Sequence, residues 1–177
     1  MDPRLIVVTP CSRPQNLRAL QESIVGHAVA EWIIVLEPGL EPPDVEATII
    51  QGETERAFGG FAHRNLANGL IEPRTDRWVW GLDDDNLAHP DLTRVFIDNL
   101  APIIIWAQDR GHRAGPSRIT NVVDTAQFAV RADIATAYEW PEVEAGDGMF
   151  IERICDEHPD DYRMVDRIAC YRDRLGG

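Results

Sequence analysis

The chain has 177 residues, a hydrophobic fraction of 44% and a formal net charge of −13 at pH 7. This length suits one compact domain with a sizeable core and leaves too little chain for two. The acidic balance excludes a typical nucleic-acid reader and disfavours an anionic membrane surface, because both partners need cationic groups on the protein. All 17 basic residues are Arg, which excludes mechanisms that depend on Lys, such as a Schiff base or a P-loop.

The Cys residues and the apolar runs exclude further classes of protein. Cys11, Cys155 and Cys170 lie far apart and form no C-x-x-C pair, so neither a zinc site nor a disulfide framework is indicated. The longest apolar run lies near Leu100–Ala107, whereas a membrane span needs roughly 20 apolar residues. We therefore expect a cytoplasmic protein with no membrane-inserted segment and no nucleic-acid partner.

Short apolar runs alternate with helical periodicity along the N-terminal part of the chain. Ala62, Leu66 and Leu70 recur at four-residue steps, the spacing of a helix that begins at Gly59-Gly60. The order β-α-β-β-α-β predicts an α/β sheet covered by helices. The predicted strands are Leu5–Thr9, Trp32–Leu36, Val45–Ile50 and Trp78–Leu82, and the predicted helices are Asn16–Val25 and 59–71.

The remaining chain continues this pattern without a repeat, a low-complexity segment or a linker, so we expect one domain over residues 1–177. Arg110–Ser117 is rich in Gly, Arg and Pro and is predicted to be a loop that acts as a lid over a ligand. The predicted helices are Pro90–Leu100, Arg131–Tyr138 and Asp147–Cys155, and the predicted strands are Ile103–Trp106, Ile119–Val123, Ala126–Val130 and Ile168–Tyr171.

A run of three carboxylates, Asp83-Asp84-Asp85, directly follows the fourth predicted strand. Ligands of open α/β sheets bind at the carboxyl ends of strands. Adjacent carboxylates repel one another unless a cation or hydrogen-bond donors compensate, and hard oxygen ligands suit Mg²⁺ or Mn²⁺ on a phosphate. An EF-hand is excluded because Ala88 stands where that loop requires Gly. A solvated acidic turn before Pro90 stays open as the simpler interpretation.

A second candidate carboxylate begins the predicted helix after residue 146. Asp147 precedes Phe150 and Ile151 by three and four residues, so it shares their inward face. An inward carboxylate at a helix start is either a cap or a functional group. Gly146 and Gly148 are predicted to leave room beside it for a substrate. We therefore interpret Asp147 as a candidate catalytic base, with a simple N-cap as the alternative.

Taken in order, these segments resemble GT-A-fold glycosyltransferases, most of all the inverting β-1,3-glucuronyltransferases that use UDP-glucuronate. The resemblance covers most of Leu5–Ile154. It implies an α/β fold with a single GT-A-like, Rossmann-related nucleotide-binding domain, whose mixed, mostly parallel central sheet is flanked by helices. It also implies a donor half at about 1–100 and an acceptor and catalytic half at about 101–177. The matching segments are Val8-Thr9-Pro10, Arg13-Pro14, Trp32–Val35, Arg64–Ala67, Asp83–Asn86, Asp124–Val130 and Gly146-Asp147 with Phe150-Ile151.

The resemblance implies a role for each residue of the acidic run. Asp85 would bind a divalent metal on the diphosphate, preferably manganese, with magnesium as the alternative. Asp83 would contact the uridine ribose or a metal-bound water, and Asp84 would contact the donor sugar. Arg64 would lie near the donor and offset its negative charge.

The other matched residues would complete the site. Thr9, Pro10 and Arg13 would line the base pocket, partly through main-chain atoms. Glu37 stands where the family usually has an Asp on the uracil or ribose. Asp124 would face the donor sugar or the acceptor.

The catalytic residues depart from the family pattern in two places. Asp147 would be the base, although the family carries Glu there. The family's C-terminal His, which contacts the diphosphate, has no counterpart in Ala169–Arg172, so Tyr171, Arg172 or His158 would replace it.

The implied reaction is the inverting transfer of a hexosyl or glucuronosyl group from a nucleotide sugar, a UDP-sugar, to a hydroxyl of a glycan or small molecule. Two alternatives stay open. One is a non-catalytic nucleotide- and metal-binding module on the same fold. The other is a nucleotidyltransferase, which the absence of Lys and of Gly in Thr9–Pro14 disfavours. A homodimer is also open.

Overall fold

The computed structural model describes residues 4–54, 60–110 and 115–176. Its strands form one eight-stranded sheet in the order β3-β2-β1-β4-β7-β6-β8-β5. The strands are β1 Arg4–Cys11, β2 Val29–Leu36, β3 Thr48–Gln51, β4 Arg77–Gly81, β5 Leu87–Ala88, β6 Ile103–Gln108, β7 Phe128–Arg131 and β8 Tyr162–Tyr171. The helices are α1 Leu17–Ile24, α2 Phe61–Asn68, α3 Leu92–Asp98, α4 Ala132–Ala135 and α5 Gly146–Glu157.

The sheet is mixed and mostly parallel, as the resemblance implied. β1 runs parallel to β2 and β4, β2 to β3, and β6 to β8. β7 is antiparallel to both β4 and β6, and β5 is antiparallel to β8. The start of β7 therefore lies at the same edge of the sheet as the end of β4. This reversal brings the second half of the chain to the carboxyl ends of the first strands.

Helices cover both faces of the sheet. Leu5 and Val7 of β1 pack into the core under α1 and α3, while Ile6 and Val8 pack into the core under α2, α4 and α5. Alternate residues of a strand point to opposite faces, so a strand covered on both sides is apolar almost throughout. This is why the predicted first strand reads as a continuous apolar run.

The buried face of α2 differs from the predicted one. Leu66 is 40% exposed, whereas Phe61, Arg64 and Ala67 are buried. The helix ends at Asn68 and not at residue 71, so Leu70, which is 57% exposed, lies beyond it. Hydrophobic periodicity does not identify the buried face of α2, because polar residues such as His63 and Arg64 form part of that face. The helix start proposed at Gly59 lies outside the described residues.

The strand predictions for the later part of the chain also need correction. Ile119–Val123 is not a strand but part of a loop, in which Val122 N–H donates to the Ile119 carbonyl (3.0 Å) and Asn121 has a left-handed φ of 67°. β8 begins six residues before the predicted strand, and β5 was not predicted. The central residues of the predicted lid, 111–114, lie outside the described residues. Within the described ranges, no helix has the length and apolar character needed to cross a bilayer.

Candidate active site

The loop after β1 lies against the acidic run because β1 and β4 are adjacent and parallel. Asp84 has no exposed surface, and its Oδ2 accepts the main-chain N–H groups of Ser12 (2.7 Å) and Arg13 (2.8 Å). The guanidinium Nη2 of Arg13 lies 3.0 Å from the Asp84 Oδ1. The carboxylate of Asp84 thus holds this loop in place and does not open onto solvent.

Asp85, like Asp83, is partly exposed, whereas Asp84 is buried. Its Oδ2 lies 2.7 Å from Nη2 of Arg13, and its side chain is 17% exposed. Burial and the neighbouring Asp83 raise the pKa of Asp85, against the lowering effect of Arg13. A carboxylate with excess negative charge around it is a suitable ligand for a hard cation.

The donor set fits a metal that is shared with a ligand. Among the described residues, no three His, Cys, Asp or Glu side chains are grouped closely enough to hold an ion by themselves. Mg²⁺ and Mn²⁺ commonly use one or two carboxylates together with waters and phosphate oxygens. Asp85 fits this kind of site.

Asp83 contacts α2, whereas Asp84 and Asp85 contact the loop after β1. Nη2 of Arg64 lies 2.6 Å from the Asp83 Oδ1, and only 1% of the Arg64 side chain is exposed. The guanidinium also lies over the rings of Phe61 and Trp140, at 5.7 and 5.4 Å from their centroids. A buried guanidinium needs such partners, because an uncompensated buried charge is strongly destabilising.

Asp124 lies at the start of β7 and caps the 3-10 turn Thr125–Gln127. Its Oδ1 accepts the Ala126 N–H (3.3 Å), and the Gln127 Oε1 accepts the Asp124 N–H (3.0 Å). Burial, followed by the charges of Asp83 and Asp147, raises the pKa of Asp124 to about 6. Asp83, Asp124 and Asp147 belong to three separate chain segments, and the charges of Asp83 and Asp147 act on Asp124 strongly enough to raise its pKa. We call the region around these three carboxylates the cleft.

Asp147 lies in the first turn of α5 and is 7% exposed. Its Oδ1 accepts the N–H of Gly148 at 2.8 Å. We predicted that Gly146 and Gly148 leave room for a substrate beside Asp147, but other parts of the chain fill this space. A Cβ on Gly146 would lie 2.3 Å from the Pro141 carbonyl oxygen, and one on Gly148 would lie 2.8 Å from Cα of Thr120. The two glycines admit the protein's own chain and do not leave a gap for a substrate.

We expect Gly146→Ala to lower the free energy of unfolding by about 1–3 kcal/mol, the usual cost of forcing a methyl group into filled space. The added Cβ would meet Pro141 at 2.3 Å and the Phe61 ring at 2.6 Å, and main chain cannot move aside cheaply. Thermal unfolding measures this loss. Gly115→Ala is the matched control, because its Cβ would meet nothing within 4 Å. Equal melting temperatures for the two variants would contradict the packing argument.

The predicted base-pocket residues lie at the ends of β1 and β2. Thr9 and Pro10 are buried, and Oγ1 of Thr9 accepts the indole N–H of Trp32 at 3.0 Å. Glu37 is partly buried, and its main-chain N–H donates to the Cys11 carbonyl at 3.0 Å. Arg13 and Glu37 are therefore the members of this group whose side chains are partly exposed at the cleft edge.

The last described residues cross the acidic run, which the sequence did not indicate. The Leu175 N–H donates to the Asp85 carbonyl (2.9 Å), and the Asp173 N–H donates to the Asn86 Oδ1 (2.9 Å). These bonds join residues almost 90 positions apart and follow no periodic pattern. The only available signal was the cluster of Arg and Asp at the end of the chain.

The three residues predicted as candidates for contacting the diphosphate make different contacts in the structure. Nε of Arg172 lies 3.6 Å from the Asp124 Oδ2, so its guanidinium is at the cleft. Tyr171 packs against His89, with 4.8 Å between ring centroids. His158 contacts Asp161 and lies beyond the end of α5. Arg172 is the candidate that contacts a carboxylate of the site.

Comparison with known proteins shows the fold. No protein-family model matches the chain, and no curated protein matches it in sequence. The structure resembles a mannosyltransferase from Pyrobaculum calidifontis in complex with GDP-Man and Mn²⁺, with a TM-score of 0.71 and 14% identity over 98% of this chain. It also resembles glucosyl-3-phosphoglycerate synthase from Mycobacterium tuberculosis in complex with Mn²⁺, UDP and glucosyl-3-phosphoglycerate, with a TM-score of 0.67 and 13% identity over 95% of this chain.

The class that these likenesses define is the GT-A-like nucleotide-binding fold. The chain spans 57% of the mannosyltransferase and 71% of the synthase. At these identities the likeness establishes the architecture, and the chemistry must be argued from this chain's own cleft.

Proposed function

We propose that the protein is a metal-dependent glycosyltransferase that moves a sugar from a nucleotide sugar, a UDP-sugar, to an acceptor hydroxyl with inversion. The observation that carries this proposal is the position of Asp83–Asp85 at the carboxyl end of β4, beside the start of β7 with Asp124, whose pKa Asp147 also raises. Support comes from the two similar structures, which hold Mn²⁺ with GDP-Man or with UDP.

On the donor side, Asp85 would hold the divalent ion, with manganese preferred and magnesium as the alternative. When bound, such an ion supplies Lewis-acid stabilisation of the departing diphosphate. Asp83, fixed by Arg64, contacts the ribose or a metal-bound water. Arg172, which lies beside Asp124, would offset the charge of the leaving group.

The nucleotide base lies between the ends of β1 and β2 in this proposal. Arg13 and Glu37 contact it with side chains, whereas the buried Thr9 and Pro10 contribute main-chain atoms. Asp84, predicted from the resemblance to contact the donor sugar, is fully buried. We assign it the role of fixing the loop that carries Arg13.

On the acceptor side, Asp147 takes the proton of the acceptor hydroxyl as that oxygen attacks the anomeric carbon. The new carbon–oxygen bond forms on the face opposite to the breaking bond to the diphosphate, which gives inversion. Asp124, whose pKa is raised by both Asp83 and Asp147, would face the donor sugar or the acceptor. The resemblance to β-1,3-glucuronyltransferases makes UDP-glucuronate the first donor to test.

Thermal unfolding with UDP, GDP or CDP, each with and without Mn²⁺, tests the donor half. A ligand at about 100 times its Kd stabilises by about 2.7 kcal/mol, which corresponds to a rise in Tm of about 5–10 °C for a chain of this size. We expect this shift with UDP and Mn²⁺ together, and we expect Asp85→Ala to abolish it. Asp160→Ala, an exposed carboxylate in a distant turn, is the matched control and should keep the shift.

The outcomes of this experiment separate the alternatives. A metal-dependent shift with GDP or CDP in place of UDP would keep the proposed site and change the donor. The absence of any shift at saturating nucleotide would contradict the proposed function. A shift that persists in Asp85→Ala would place the metal elsewhere.

A further inference from the structure

Asn65 forms a two-point contact with the main chain of a residue 75 positions away. Its Nδ2 donates to the Trp140 carbonyl at 3.0 Å, and its Oδ1 accepts the Trp140 N–H at 2.7 Å. Only a side-chain amide offers a donor and an acceptor side by side in this way. The contact joins α2 to the loop that leads into α5.

Trp140 in turn contacts both α5 and the Arg64 side chain of α2. Its ring stacks on Phe150 of α5, with 3.8 Å between centroids and 4° between planes. The guanidinium of Arg64, which holds Asp83, lies 5.4 Å from the same ring. Phe150 follows Asp147 by three residues, which is about one helical turn. The Trp140 ring therefore contacts Arg64, which pairs with Asp83, and also Phe150, which lies one helical turn after Asp147.

We propose that Asn65 and Trp140 are positioning residues that couple the nucleotide end of the cleft to the first turn of α5. In this proposal, which rests on the proposed function, nucleotide and metal at Asp83–Asp85 fix Arg64, and Arg64 fixes the indole that Asn65 holds. The start of α5 is thereby more rigid with the donor bound than without it. The catalytic base would be fully positioned only when a donor is present.

The coupling follows from packing and not from a direct ligand contact. Aromatic stacks and hydrogen-bonded pairs transmit a displacement because packed interiors do not deform freely. Gly146 adds to this, since Pro141 and the ring of Phe61 lie so close to it that an added Cβ would meet both within 2.6 Å. A shift of Trp140 would move the two residues that enclose the helix start.

Hydrogen exchange followed by mass spectrometry tests the coupling without knowledge of the acceptor. In the wild type, UDP with Mn²⁺ should slow amide exchange over residues 145–150 by about fivefold or more, the lower end of usual coupling between sites. Asn65→Ala should bind UDP and Mn²⁺ but lose this protection. Asn65→Asp keeps the size of the side chain and its hydrogen-bond acceptor but removes the donor, so it should lose most of the protection over residues 145–150. This second variant keeps the test informative if Asn65→Ala does not fold.

Asn68→Ala is the matched control. It removes an α2 amide that also donates to a main-chain carbonyl, but that carbonyl belongs to Ala135, at 3.4 Å, and not to Trp140. It should lose stability and keep the protection of α5, which a purely structural role of Asn65 would not predict.

Three results would count against the proposal in different ways. Wild-type binding of nucleotide without protection at 145–150 would overturn the coupling and leave the proposed function standing. Undiminished protection in both Asn65 variants would overturn the role of Asn65. Failure of the wild type to bind any nucleotide would overturn the proposed function and the coupling with it.

Discussion

Asp147→Asn is expected to lower the rate of sugar transfer by about 10²- to 10⁴-fold, the usual contribution of a positioned general base. Asn keeps the size of the side chain and can still accept the Gly148 N–H, so the start of α5 should be preserved. The metal-dependent thermal shift with UDP should remain, because the proposed function assigns Asp147 to the acceptor and not to the nucleotide. Nucleoside diphosphate release with a UDP-sugar and an acceptor found by screening measures the rate.

Asp156→Asn is the control for this prediction. It makes the same chemical change on the same helix, at an exposed carboxylate paired with Arg118 at 2.7 Å. Exposed ion pairs contribute little, so its transfer rate should equal that of the wild type. Transfer by Asp147→Asn at the wild-type rate would assign the proton to another group. Nucleotide binding without turnover in the wild type would favour the non-catalytic module.

The central strands could be predicted because their environment is uniform. β1, β2 and β4 are covered on both faces, so Leu5–Val8 and Trp32–Leu36 are continuous apolar runs. β8 was found only at its end, because exposed residues such as Arg163 and Asp166 interrupt its apolar pattern. Ile119–Val123 has the composition of a strand, but the left-handed Asn121 turns the chain there. Composition does not reveal such a turn.

The sequence predicts where the candidate site lies on the sheet. It does not predict which of its carboxylates is buried and which is exposed. The position of Asp83–Asp85 after a buried strand places them at the ligand-binding edge of an α/β sheet. Which carboxylate is buried depends on the path of the loop at Ser12 and Arg13, which is a tertiary contact. The same is true of Arg172, which reaches Asp124 only because β8 lies beside β6.

Asp124→Asn is expected to stabilise the protein at pH 7.5 while it reduces sugar transfer. Burial, Asp83 and Asp147 raise the pKa of Asp124 from 3.8 to about 6 in the folded protein, so its ionised form is less stable there than in the unfolded chain. At about 1.4 kcal/mol for each pH unit, ionisation costs up to about 3 kcal/mol of stability above pH 6. Asn carries no charge and can still accept the Ala126 N–H.

The sign of the pH dependence follows from proton binding. Between pH 4 and 6 the folded protein holds a proton on Asp124 that the unfolded chain has released, so the contribution of this group falls as pH rises and is lowest above 6. Thermal unfolding from pH 4 to 8 should show a flatter profile for Asp124→Asn and a higher Tm at pH 7.5, by about 2–4 °C for each kcal/mol. An unchanged or lower Tm at pH 7.5 would contradict the argument. A gain in stability together with a loss of transfer is the behaviour of a residue kept for function at a cost to the fold.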